Sequence, residues 1–227
     1  MKYLDLSVNL PPHLRHPMEE FLRSTDAIDR EELLAWNLTP TTVEYALFYV
    51  EGELEAYRSR IAAVESIRSF TLRAIDARSF YSYVCQETRE EDERWREAFA
   101  RRNLVVVPPI VYDGTGMHLT IVGEGADLRS MLEALPESID TEIDGIGDYD
   151  RRHGTIAGHL TDRQLQAVAT AVALGYYDVP RTASLADVAD VLDCAESTAS
   201  NHLRKATADV MTRLVDRYAP VAYSPNR

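Results

Sequence analysis

Lysine is almost missing from this chain: Lys2 and Lys205 stand against 22 arginines, and Cys85 and Cys194 are its two cysteines. Two thiols so far apart in the sequence give no disulfide framework, and a reduced setting is the expectation. No run of 18 apolar residues occurs, which argues against a membrane-spanning helix and a membrane partner. The opening MKYLDLSVNLPP lacks the charged, then apolar, then small-residue order of a secretory leader, so a cytoplasmic location is expected. Gly114, Gly116, Gly123 and Gly125 are too irregular for a dinucleotide loop and read as turn residues. No phosphate loop, cysteine cluster or nucleophile-and-base pair is visible, so neither an enzyme nor a cofactor is expected. His13 and His16, near Glu19 and Glu20, read as a solvated helix start rather than a metal site, and His118 has no visible partner.

Positive charge is scarce as well. The 24 basic residues face 37 acidic ones, a net of −13, which is the wrong sign for a general nucleic-acid binder. An acidic, lysine-poor and arginine-rich chain fits molar internal salt. There the screening length falls to roughly 3 Å, and repulsion from a polyanion is largely lost. The excess is uneven. Residues 159 to 217 hold six basic and eight acidic groups, whereas residues 1 to 158 hold 17 and 29. If one part meets DNA, it is the C-terminal one.

That part carries the clearest pattern. Ser184 can cap a helix with Asp187 at its third position, and Leu185, Val188, Ala189 and Leu192 share one face. Asp193-Cys194 makes a turn where glycine is usual, because the backbone there often needs positive φ. A second helix begins near Glu196, with Ala199, Leu203, Ala206, Val210 and Leu214 inward. Ser197, Thr198, Ser200, Asn201, Arg204 and Lys205 lie on the other face, and short polar groups followed by basic ones suit base edges and phosphates. Upstream, Thr161 and Gln164 form a capping-box signature, with Leu165, Val168, Ala169 and Val172 on one face and Gly175 as the stop. An ordinary helical hairpin with a polar solvent face is the plainer alternative.

The series LTDRQ, GYYDVPR, SLADVADVLD and STASNHLRKA resembles the C-terminal domain of the bacterio-opsin-activator type regulators of halophilic archaea. The resemblance implies a sequence-specific transcription regulator whose partner is double-stranded DNA. Asn201 and Arg204 are the candidates for base contacts. Ser197, Thr198, Ser200, Lys205 and Arg181 are the candidates for phosphate contacts. A homodimer is expected, since helix-turn-helix proteins usually read paired half-sites. The competing reading is an adaptor whose helical module docks on the transcription machinery.

The N-terminal region reads as α+β. A strand at 2–10, a helix at 13–23, strands at 31–38 and 43–51, a helix at 52–63 and a strand at 66–75 make βαββαβ. A strand at 80–87, a charged helix at 90–102, a hairpin of 104–112 with 117–123, a helix at 126–135 and a strand at 138–146 repeat it. The expected architecture is therefore a tandem βαββαβ region, ferredoxin-like and ACT-like in element order, followed by an all-α helix-turn-helix domain. A single mixed eight-stranded sheet is the alternative. The expected bounds are 1–148 for sensing or dimerisation, 149–158 for a linker containing Arg151, Arg152 and His153, 159–218 for the DNA-binding domain and 219–227 for a tail. Topological likeness to effector-binding modules leaves a small-molecule effector open and does not identify it.

Overall fold

In the computed structural model, residues 1–37, 43–89, 103–150, 154–155, 158 and 160–218 are described. The chain divides into two compact units, Met1–Tyr149 and Asp150–Arg227. The helix expected at 90–102, the basic cluster Arg151–His153 and the tail at 219–227 lie outside the described residues.

The first unit runs β1 (Lys2–Asn9), α1 (Pro17–Ser24), β2 (Ile28–Asn37), β3 (Val43–Gly52), α2 (Leu54–Ile61) and β4 (Ile67–Ala74). It continues through β5 (Ser79–Glu87), β6 (Val105–Asp113), β7 (Met117–Gly123), α3 (Gly125–Glu133) and β8 (Asp140–Asp148). A 3-10 turn over Pro12–Leu14 takes up the start of the helix expected from His13, because Pro17 fits the first helical turn and not its interior.

Among the described residues the eight strands join one sheet in the order β4-β5-β3-β2-β6-β7-β1-β8, and each neighbouring pair is antiparallel. The sheet is thus continuous, not two separate sheets, and its pairings are not mixed. The order has a symmetry. Exchanging each of the first four strands with its counterpart among the last four reverses the list and leaves it otherwise unchanged. Under that symmetry β1 sits among the strands of the second half, between β7 and β8, and β5 sits between β4 and β3.

Register then fixes one inward face. Leu6 lies opposite Leu119, Ile121 opposite Val106, Tyr112 opposite Glu31, Leu33 opposite Phe48, and Val50 opposite Phe80. Directly opposed residues point to the same side of a sheet. Leu4, Leu6, Val8, Leu119 and Ile121 bury against Leu128 and Met131 of α3. Val50, Phe80 and Val84 bury against Met18 and Leu22 of α1 and Tyr57 and Ile61 of α2. The other face shows tyrosines, with Tyr45 stacked on Tyr83 at 5.9 Å and Tyr49 edge-on to Tyr81 at 6.1 Å.

The second unit holds α4 (Asp162–Leu174), α5 (Leu185–Val191) and α6 (Glu196–Tyr218). Its core is Ala167, Ala171, Val188, Ala189, Leu192, Ala199 and Leu203, with Val168, Leu174 and Leu185 half-buried around it. The stripe expected on α4 is displaced. Ala167, Val168, Ala171 and Leu174 face inward, whereas Leu165, Ala169 and Val172 are exposed. The larger apolar residues suggested the wrong side because the fully buried positions of α4 are Ala167 and Ala171, whose small side chains admit a close neighbouring helix. No helix among the described residues is long and apolar enough to cross a membrane.

Candidate nucleic-acid interface

The geometry of the second unit begins at its caps. Thr161 Oγ1 accepts from the Gln164 N–H at 3.2 Å while Gln164 Oε1 accepts from the Thr161 N–H at 2.7 Å, which starts α4. Gly175 ends it at φ 79°, with the Tyr176 N–H donating to Ala171 O and the Gly175 N–H to Val172 O. Ser184 and Asp187 repeat the reciprocal cap at α5. The Asp187 N–H reaches Ser184 Oγ at 3.2 Å, and Asp187 Oδ2 accepts from the Ser184 N–H and Oγ–H at 2.7 Å each. Those bonds, the backbone one first, hold the Asp187 carboxyl below the usual carboxylate range.

The turn between α5 and α6 follows from Asp193. Its φ is 50°, the left-handed region. The Cys194 N–H donates to Ala189 O at 3.1 Å and the Asp193 N–H to Asp190 O at 3.2 Å, the paired bonds of a Schellman stop. Aspartate takes the place of glycine here because its short polar side chain tolerates this conformation better than most residues do. The chain is thereby redirected within four residues from the end of α5 to Glu196, the first residue of α6.

On α6, Ala199, Leu203 and Ala206 are buried in the unit, and Ser197, Thr198, Ser200, Asn201, Arg204 and Lys205 are exposed. The 3.6-residue period turns the two sets to opposite sides. Arg181, in the segment between α4 and α5, is exposed too, with its guanidinium 4.2 Å over the Tyr176 ring. The structure therefore puts six of the seven candidate residues on one side of one helix and the seventh on a separate loop. Asp190, Asp193 and Glu196 are also exposed around the turn, so the unit offers polar side chains rather than a basic field. Beyond the core the stripe fades. Val210 is half-buried, while Met211, Leu214 and Val215 are 53%, 41% and 43% exposed.

In the first unit, His118 is not alone as the sequence suggested. Its Nδ1 lies 2.7 Å from Ser7 Oγ, and its Nε2 lies 3.2 Å from Asp113 Oδ1 and 3.1 Å from Thr115 Oγ1. Ser7 Oγ also donates to Asp144 Oδ2 at 2.7 Å. Serine, histidine and aspartate in contact invite a nucleophile reading, but this Ser7 is directed at a carboxylate. It also sits on β1, paired on both sides, where neighbouring strands take up the backbone N–H groups an oxyanion would need. Among the described residues no cluster of His, Cys, Asp and Glu is arranged to hold a metal ion, and Cys85 and Cys194 are free thiols.

Sequence reasoning missed a different group: the buried polar residues between α1, α2 and the sheet. Glu19 is 4% exposed, Glu31 5% and Glu44 4%, and all three line one cavity with His16, Tyr57 and Gln86. His16 is not a solvated residue at a helix start. Its Nδ1 caps α1 by accepting from the Met18 N–H at 3.2 Å, and burial, then Arg89 and Arg60, lower its pKa to about 4. The signal was available in period-2 alternation, which puts Glu31 with Leu33 on β2 and Glu44 with Ala46 and Phe48 on β3.

Comparison with known proteins bears on both units. A family model for an N-terminal domain, HVO_0513 type, matches residues 16–149, and the model of an HTH DNA binding domain matches residues 160–212. Over 93 residues the chain is 30% identical to the transcriptional regulator NarO of Haloferax volcanii, covering 41% of this chain and 40% of that protein. Over 53 residues it is 43% identical to the dimethyl sulfoxide reductase transcriptional activator of Halobacterium salinarum, covering 23% of this chain and 24% of that protein. The chain thus spans less than half the length of either relative. The chain belongs to the HVO_0513 N-terminal family, and its helical unit is a helix-turn-helix domain of the bacterio-opsin-activator type found in regulators of halophilic archaea.

Proposed function

We propose that this protein is a sequence-specific, DNA-binding transcription regulator that lays α6, from Ser197 to Lys205, into the major groove. The observation that carries the reading is the redirection at Asp193, which leaves six polar side chains at the start of α6 exposed while Ala199 and Leu203 anchor it from behind. Asn201 and Arg204 are the base readers, since Asn pairs bidentately with adenine and Arg with guanine. Ser197, Thr198, Ser200, Lys205 and Arg181 position the phosphates. Two relatives with regulator names support the same reading. Acidity does not oppose it in molar salt, where the counterion-release contribution is weakened and direct contacts carry more of the affinity. The protein acts in the cytoplasm as a homodimer matching paired half-sites. Residues 1–148 set that assembly and respond to a small-molecule effector, 149–158 link the parts, 159–218 bind DNA and 219–227 form a tail.

The test is genome-wide occupancy of the tagged protein in its high-salt host, beside Arg204→Ala and Asn201→Ala. Sharp peaks sharing a motif are expected for the native chain and are lost in both variants, which keep native circular dichroism. Occupancy that is diffuse, or that survives both substitutions, overturns the base-reading assignment. A second reading, an adaptor docked on the transcription machinery, is favoured by one observation: the exposed Met211, Leu214 and Val215 on the far part of α6. It predicts peaks that persist in Arg204→Ala and vanish in Leu214→Asp.

A further inference from the structure

We propose that the cavity between α1, α2 and the sheet of the first unit binds a small organic amine, its apolar body against the sheet and its ammonium group on the buried glutamates. An effector role for such a ligand rests on the regulator reading above; the binding itself does not.

The cavity holds about 220 Å³. A single water needs roughly 15 Å³, so the space is far larger than one solvent molecule requires. Most of its lining is apolar, with Trp36, Phe48, Tyr112 and Ile110 among the walls. Apolar walls with a few convergent polar groups are the common form of a small-molecule site. Beside His16, Tyr57 and Gln86, three of the cavity's polar groups are carboxyls. Glu19, Glu31 and Glu44 converge from α1, β2 and β3, and each is at least 95% buried.

Burying three carboxylates near one another is costly unless a donor or cation meets them. Among the described residues, Arg15 and Arg23 stand near Glu19, and two of the carboxyls accept a side-chain hydrogen bond. The Tyr57 hydroxyl donates to Glu31 Oε1 at 2.6 Å, and Gln86 Nε2 donates to Glu44 Oε1. Glu19 Oε1 is fully shielded and has no hydrogen-bond partner among the described residues. His16 Nε2 is shielded and unpartnered in the same way. Because Nδ1 accepts the Met18 N–H, Nε2 carries the proton of the neutral ring. Glu19 therefore offers an acceptor and His16 a donor, and both residues line the cavity.

An ammonium group satisfies what this site has in excess. It brings three donors and a positive charge to Glu19 and Glu31, which burial otherwise drives toward the neutral form. Aromatic walls favour the same charge through their ring faces. An oxygen beside the amine would meet the His16 donor. An anionic ligand would meet three buried carboxyl groups of like charge and is disfavoured. Burial raises the pKa of Glu31 to about 7 and that of Glu19 in the same direction, despite Arg15 and Arg23 near Glu19. A bound ammonium favours the ionised carboxylates, so binding releases protons and tightens as pH rises through 7.

The experiment uses the full chain in molar KCl and three probes of nearly one shape: 2-phenylethylamine, 2-phenylethanol and phenylacetate. Thermal unfolding of the first unit and tryptophan fluorescence, read in a Trp95→Phe background so that it reports Trp36, are followed with each probe at pH 6 and pH 8. The amine is expected to raise the unfolding temperature in a saturable way, more at pH 8, with the alcohol weaker and phenylacetate inert. Glu31→Gln and Glu19→Gln, which keep shape and remove charge, are expected to weaken amine binding at least tenfold. Ala46→Leu, which fills the cavity from β3, is expected to abolish it. No response to the amine, an equal response to phenylacetate, or an amine response that survives both glutamine variants overturns the proposal. Because no DNA is present, the result is independent of promoter occupancy. Amine binding that leaves the occupancy map unchanged would retain the site and exclude an effector role for it.

Discussion

Two residues with positive φ define the frame of the helical unit, and they differ in how they meet the same demand. Gly175 can adopt φ 79° without strain, and a Cβ there would overlap both Thr182 Oγ1 and the Asp178 carboxylate. Gly175→Ala therefore carries both a conformational and a steric penalty. Asp193 holds φ 50° as an L-residue, at a cost of about 1 kcal/mol relative to glycine. Asp193→Gly should stabilise the unit by up to roughly 0.5 kcal/mol, because the strain it relieves exceeds the added freedom of the unfolded chain. Denaturant titrations of the two variants check this, with opposite signs expected. A destabilised Asp193→Gly would mean that the aspartate side chain contributes more than its conformation costs.

At the scale of elements, the reciprocal caps set where the helices begin. Ser184→Ala removes the acceptor for the Asp187 N–H and the donor to its carboxylate, so a loss of about 1 kcal/mol is expected. For a unit of this size that is a fall of roughly 5 °C in its unfolding midpoint, read by calorimetry. The sequence signatures for both caps and for the turn were explicit, because capping chemistry is local and each residue's partner lies within five positions. The face of α4 was not explicit. Hydrophobicity pointed to Leu165 and Val172, yet Ala167 and Ala171 are the fully buried pair, since helix spacing and not residue hydrophobicity chose the contact. Val172, 60% exposed, and the far end of α6 are consequently apolar and open.

At the scale of the whole molecule, buried ionisable groups give stability a pH dependence of two opposing signs. Glu31 keeps its proton up to about pH 7 in the folded chain, whereas an unfolded glutamate releases it near 4.3. Its contribution is complete below that lower value and is lost as pH rises to about 7 and beyond. His16 acts the other way. Its folded pKa of about 4 lies below the usual 6.5, so folding gains as pH rises between those values. The two offset one another over most of the acid range. Glu31→Gln keeps the acceptor for Tyr57 and removes the titration. Its stability relative to the native chain should therefore be on the order of 2–3 kcal/mol better at pH 8 than at pH 5. Unfolding of both proteins in molar KCl at the two pH values measures this directly. An equal difference at both would mean that Glu31 ionises like an exposed carboxylate.

What the sequence determined by itself was local. Helix caps, the stop at Gly175, the turn at Asp193, the polar face of α6 and the alternation of each strand depend on neighbours a few residues away. The succession of strands and helices in the first unit was legible for the same reason. Tertiary structure alone decided which strand lies beside which. A pattern such as Leu4, Leu6 and Val8 specifies an inward face but no partner, so nothing local told β1 to pair with β7 and β8, or β5 to lie between β3 and β4. That exchange makes one sheet of what the element order suggested as two. Packing of α1 and the sheet likewise brings Glu19, Glu31 and Glu44, separated in the chain and unremarkable singly, to the walls of one cavity. Long-range pairing is set by the sum of many contacts across the sheet, and that sum is not written in any one segment.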